Sequence, residues 1–137
     1  MVAALVHHVQ LPMPPGGARV ARRFYESLLG LREHRDPALD RPGVLRFALG
    51  GARLDLSEGL YSGVAPQAHL ALTVQDLAPL LRRLQAAEHP VDRSLLSEGR
   101  AYTEDPFGNR LELIEAPAET SPFVLRDHHV TELKLAL

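Results

Sequence analysis

Four polar side chains in this chain have the types and the spacing to do chemistry together: His8, Asp55, His69 and Glu112. Two neutral imidazoles with one or two carboxylates form a nitrogen and oxygen donor set suited to divalent ions such as Zn, Ni, Co, Mn or Fe(II). A set of three would leave coordination positions for water or substrate, as a catalytic site requires. An ion held there could polarise a bound oxygen and stabilise negative charge on it. The competing reading is that each residue is simply solvated on a half-buried strand. Repetition favours the metal: the histidines lie 61 residues apart and the carboxylates 57, so the pairs recur almost in step.

The elements that must position them recur as well. His8-Val9-Gln10-Leu11 reads as a strand and leads through Pro14-Pro15-Gly16-Gly17 into a helical pattern carried by Val20, Ala21, Phe24 and Leu28, ending at Gly30. His69-Leu70-Ala71-Leu72-Thr73-Val74 opens the second half in the same way. Asp76 follows as an N-cap, then Leu77, Leu80, Leu81 and Leu84 at helical spacing. Each helix is followed by strand-like runs joined by turns. In the first half these are 44–49, the turn Gly50-Gly51 and 53–57. In the second they are 100–104, the turn Asp105-Pro106-Phe107-Gly108-Asn109 and 110–115. The last strands, Arg53-Leu54-Asp55-Leu56 and Arg110-Leu111-Glu112-Leu113, match position by position.

Neither module can bury its sheet alone, so the expected fold is α+β. Two modules, about 4–58 and 66–116, pack side by side into one open, curved, mixed sheet with helices on its outer face. Together they make a single domain over 1–116, the segment 61–67 serves as the joint, and the tail 117–137 has no counterpart in the repeat. Strand alternation then sorts the faces. Val9, Leu11, Leu54, Leu56, Leu70, Leu72, Val74, Leu111 and Leu113 turn towards the helices. His8, Gln10, Arg53, Asp55, His69, Ala71, Thr73, Arg110 and Glu112 turn the other way, into the concavity.

Composition bounds the function. At 137 residues, 45% hydrophobic and 23% charged with a formal net charge of −2, the chain reads as an ordinary globular protein. It lacks the basic excess of a nucleic-acid binder, and no window approaches the ~20 apolar residues of a membrane span. The start, Met1 to Leu11, has no charged leader region. With no cysteine there is neither a disulfide nor a thiolate ligand, which fits a cytoplasmic location.

The sequence resembles the vicinal oxygen chelate superfamily, the group of glyoxalases, bleomycin- and fosfomycin-resistance proteins and extradiol dioxygenases. The carrying residues are His8 to Leu11, Phe24-Tyr25-Glu26-Ser27-Leu28-Leu29-Gly30-Leu31, His69 to Val74, and Asp105-Pro106-Phe107-Gly108-Asn109-Arg110-Leu111-Glu112-Leu113. The resemblance covers about Leu5 to Ala116. It implies paired βαβββ modules forming a cup around a divalent metal, with His8, His69 and Glu112 as ligands. Glyoxalase-like members add a fourth ligand, which falls at Asp55. There they carry Glu, so the shorter Asp55 would ligate through water or act as a base, and Asp55 or Glu112 would shuttle a proton.

Tyr102 matches a substrate-contacting tyrosine of fosfomycin-modifying relatives, although their potassium-binding loop has no match here. The implied function is a glyoxalase-like lyase or isomerase acting on a small substrate chelated through adjacent oxygens, in a homodimer. Two alternatives stand beside it: a metal-free protein of the bleomycin-resistance type that sequesters a small molecule, and a thiol transferase acting on an antibiotic.

The remaining polar residues are read more plainly. His7 has the opposite parity to His8 and is expected to be partly buried at the strand end. His34 and His89 lie in connecting segments and are expected at the surface, and His128 and His129 belong to a solvated tail. Arg100 and Tyr102 share parity and could clamp an anionic or enolate-like substrate. Arg22-Arg23 and Arg82-Arg83 are expected on solvated helix faces.

Overall fold

The computed structural model describes residues 4–60 and 67–117. Within them the chain runs β1 (His8–Met13), α1 (Ala18–Arg22), a π-helical continuation (Arg23–Leu28), β2 (Val44–Leu49) and β3 (Ala52–Glu58). The second half follows as β4 (Leu70–Val74), α2 (Leu77–Ala86), β5 (Val91–Asp92), a single 3-10 turn (Leu96–Glu98), β6 (Arg100–Glu104) and β7 (Arg110–Glu115). The fold is α+β, with two open sheets ordered β1-β3-β2 and β4-β7-β6-β5. No helix among the described residues is long and apolar enough to cross a membrane.

In the first sheet β3 is central, parallel to β1 and antiparallel to β2. Register places Val9 beside Leu54 and Leu11 beside Leu56, with Phe47 and Leu45 as their partners from β2. Leu54, Leu56 and Phe47 are completely buried. The Tyr25 ring of the helix lies 5.5 Å from that of Phe47, so the helix covers this face. Burying each such side chain contributes about 1.5–3 kcal/mol. A one-residue slip of β3 would exchange them for Arg53 and Asp55, which is why the register holds.

The first helix departs from the expected period. The amide of Leu29 bonds the carbonyl of Phe24, five residues back, and along this wider turn Leu29 is buried in place of Leu28, which is half-buried. Ala21, Phe24, Tyr25 and Leu29 are buried while Val20 is 47% exposed, so Val20 is not the core residue that strict 3.6 spacing suggests. The second helix keeps the regular period: Leu77, Leu80, Leu81 and Leu84 are all buried. Asp76 is its N-cap by backbone conformation, without a side-chain capping bond.

The first module also has one strand fewer than a full βαβββ unit among the described residues. In place of the missing strand, Glu33 forms an isolated bridge to Phe47, with His34 N donating to Arg46 O and Ala48 N to Arg32 O. Beyond that point Pro37 and Pro42 lack donors. Asp36 and Asp40 bond local backbone amides instead, and a ladder cannot continue.

By contacts the chain forms two units. Among the described residues, one comprises 4–60 and 67–69 together with Glu104–Arg110, and the other Leu70–Thr103 together with 111–117. The turn between β6 and β7 thus packs with the first half, and it is held there by a buried latch. Asp105 Oδ1 accepts from the amides of Phe107 (2.8 Å) and Asn109 (2.9 Å), while Oδ2 accepts from Tyr25 Oη (2.6 Å) and Asn109 Nδ2 (2.7 Å). Asn109 Nδ2 also donates to Pro12 O at 3.0 Å. Burial pushes the Tyr25 hydroxyl well above its ordinary range, and the Asp105 charge and hydrogen bond add to the effect. The Phe-Tyr helix motif and the Asp-Pro-x-Gly-Asn turn are therefore two halves of one contact.

Candidate functional site

On the helix-free face of the first sheet, register sets His8 beside Arg53, Gln10 beside Asp55, and Arg46 across from Asp55. His8 and Gln10 are exposed, whereas Asp55 is 5% and Arg46 6% exposed. A buried carboxylate needs a compensating partner, because an uncompensated charge costs several kcal/mol. Arg53, two residues away on the same face, provides it with two parallel bonds, Nε to Oδ1 at 3.0 Å and Nη2 to Oδ2 at 2.8 Å. Burial alone would raise the Asp55 carboxyl. The hydrogen bonds and charge of Arg53, with the charges of His8 and Arg46, outweigh it and hold the group below the usual carboxylate range.

The second sheet repeats the pattern. Ala71 and Thr73 face outwards on β4, with Leu72 buried behind them. Glu112 lies in register with Ala71 and is 5% exposed, with Arg100 Nη1 3.4 Å from its Oε2. Tyr102 is half-buried on β6, with the parity of Arg100. His69 directly precedes β4, two positions before Ala71; it is exposed, and its Nδ1 lies 3.3 Å from Gln67 O.

Asp55 and Glu112 therefore occupy matching repeat positions, each buried on its sheet and each beside an arginine. The donor chemistry, two imidazoles and two carboxylates, suits a divalent ion. Among the described residues, however, no three histidine or acidic side chains gather into a group that could hold one. As placed, the donors engage their own neighbours: His8 Nδ1 lies 2.9 Å from His7 Nδ1, Asp55 holds Arg53, and Glu112 faces Arg100. Binding an ion would mean exchanging these contacts for it.

Several expectations change. His7 is exposed and precedes β1, so it is not a partly buried strand-end residue. His34 is exposed as expected, whereas His89 is half-buried beside Pro90 and Val91. Arg22 is not merely solvated, since its Nε and Nη2 bond Glu33 at 2.9 and 3.2 Å. His128 and His129 lie outside the described residues. Arg46 was not singled out from sequence, hidden as one charge in the run Val44-Leu45-Arg46-Phe47. Counting back from the Gly50-Gly51 turn would have set it opposite Asp55.

The Glyoxalase/Bleomycin resistance protein/Dioxygenase superfamily model matches residues 5–113. Among solved structures, a protein assigned to the glyoxalase family from Bacillus anthracis is 28% identical, with a TM-score of 0.73 over 85% of this chain and 98% of that one. TnmS3, an antibiotic binding protein from Streptomyces sp. CB03234, is 25% identical (TM-score 0.61; 85% and 99% covered). Lactoylglutathione lyase from Agrobacterium tumefaciens is 22% identical (TM-score 0.59; 84% and 95% covered) and shares the fold. No curated protein matches the chain. The repeated strand–helix–strand order, the paired carboxylates and a family match spanning most of the sequence lead to one conclusion: the chain belongs to the glyoxalase, bleomycin-resistance and dioxygenase group, the vicinal oxygen chelate superfamily.

Proposed function

We propose that this chain is a glyoxalase-like, metal-dependent enzyme acting on a small, oxygen-bearing substrate, with His8, His69 and Glu112 as the metal-holding residues. The observation that carries this reading is Glu112, a carboxylate only 5% exposed on the helix-free face of its sheet, at the position Asp55 occupies in the first module. A carboxylate buried twice over at one repeat position is a costly feature that packing alone does not require. When bound, a divalent ion would polarise a substrate oxygen and stabilise negative charge on it. Arg100 and Tyr102, of one parity on β6, orient an anionic or enolate-like oxygen. Asp55, ionised and clamped by Arg53, is a weak base at neutral pH; in this reading it tunes the charge of the face and is not a ligand. A homodimer is the assembly we propose.

A second reading has an observation of its own. His8, Asp55 and Glu112 each already face a neighbouring side chain, and one similar structure is that of an antibiotic binding protein. That favours sequestration of a small molecule without a metal. Metal analysis of untagged protein prepared without chelators, followed by titration with Zn, Ni, Co, Mn and Fe(II), separates the two. Stoichiometric metal, lost on His69→Ala and kept on His7→Ala, supports the enzyme. No bound metal and no saturable uptake by any of the five ions would overturn it.

A further inference from the structure

Where the first module lacks a strand, the connection after the helix builds a charged cleft of about 270 Å³ against β2. Four arginines line it, Arg22, Arg35, Arg41 and Arg46, with only two carboxylates, Glu33 and Asp40. The carboxylates act as shared buttresses. Glu33 bonds Arg22 through both oxygens and lies 3.6 Å from Arg35. Asp40 takes Arg35 at 3.4 Å on one oxygen and Arg46 on the other. Arg46 is 6% exposed and donates to Leu39 O at 3.0 Å, and its buried Nε has no hydrogen-bond partner. Arg41 is exposed and has no ion-pair partner among the described residues.

Arg22 and Arg46 are thus oriented by hydrogen bonds to the two acids, Arg35 lies within ion-pair reach of both, and Arg41 stands free at the same cleft. The surplus is two positive charges in a space of small-ligand size. Planar, preorganised guanidiniums match the oxygens of a tetrahedral dianion, which they bind through paired charge-assisted bonds. We propose that this cleft is a binding site for a phosphoryl dianion, either free phosphate or the phosphate of an ester. None of His8, His69 and Glu112 lines this cleft, and the proposal does not depend on whether that set holds a metal.

The test is isothermal titration calorimetry of the full chain with inorganic phosphate and with phenyl phosphate, in a low-salt buffer of non-coordinating ions. One saturable site per chain is expected, weakening as salt is raised because part of the attraction is screened. Tighter phosphate identifies the free ion as the ligand, and tighter phenyl phosphate identifies the ester. Arg41→Gln should weaken binding about tenfold, the loss of one charge-assisted contact, and Arg35→Gln/Arg41→Gln should weaken it further. Arg41→Lys, which keeps the charge, should bind more tightly than Arg41→Gln, and His8→Ala should bind as the unaltered chain does. Arg35 and Arg41 are exposed, so these variants fold. Absence of a saturable site for either probe, or unchanged affinity in the double variant, would overturn the proposal.

Discussion

Tyr25→Phe removes one oxygen from a fully buried ring and tests the latch that joins the helix motif to the turn. Tyr25 is completely buried and Asp105 is 4% exposed, and the 2.6 Å bond between them spans 80 residues of sequence. A hydrogen bond to a charged group is worth about 1.5–3 kcal/mol. Oδ2 of Asp105 retains Asn109 Nδ2 at 2.7 Å after the change, so the carboxylate is not stranded and a loss near the middle of that range, ~2 kcal/mol, is expected. For a chain of this size each kcal/mol moves Tm by roughly 3–5 °C, so Tm should fall by about 6–10 °C.

The pH profile supplies an independent sign. The Tyr25 hydroxyl is raised in the folded state, so above about pH 10 the unfolded chain releases this proton while the folded chain keeps it. The stability from this group is complete below pH ~10 and is lost as pH rises beyond it. Alkaline urea titrations should therefore show a steeper loss for the unaltered chain than for Tyr25→Phe. A stability change below ~0.5 kcal/mol, or identical alkaline profiles, would refute the claim that the two motifs are coupled through this bond.

Asp55→Asn should leave metal affinity within about threefold by calorimetry if Arg53 keeps the carboxylate from the ion, whereas Glu112→Gln should lower it by at least roughly tenfold. Because Asp55 is depressed in the folded state, its contribution to stability is present above its unfolded value and is lost as pH falls through the folded one. Asp55→Asn should accordingly show a shallower acid-unfolding curve by circular dichroism. At Gly17 an added Cβ would meet Pro14 O at 3.0 Å and the Phe107 ring at 3.2 Å. Gly17→Ala should thus destabilise the chain by about 1–2 kcal/mol in urea denaturation, although the backbone there suits alanine. Light scattering on purified protein checks the homodimer, with a monomer mass at micromolar concentration as the contrary result.

The sequence by itself determined the local order and the facing of the strands. The runs 44–49, 100–104 and 110–115 are strands with those bounds, because alternation with turn residues at both ends leaves few other conformations. Parity put His8 and Gln10 on one face and Leu54 and Leu56 on the other, since a strand has only two sides. Helical spacing likewise placed Leu77, Leu80, Leu81 and Leu84 in the core. Tertiary structure alone decided the partners. Parity states which side Asp55 occupies, but not that Arg53 would fold onto it with two bonds or that Arg46 would lie opposite, because rotamers and cross-strand neighbours depend on register and burial. The same holds for Tyr25 and Asp105, and for the π turn along which Leu29 is buried in place of Leu28. So too the four residues with which the sequence opened have their faces set by alternation, while the availability of His8, Asp55 and Glu112 to a metal is set by the histidine and arginines that the fold places beside them.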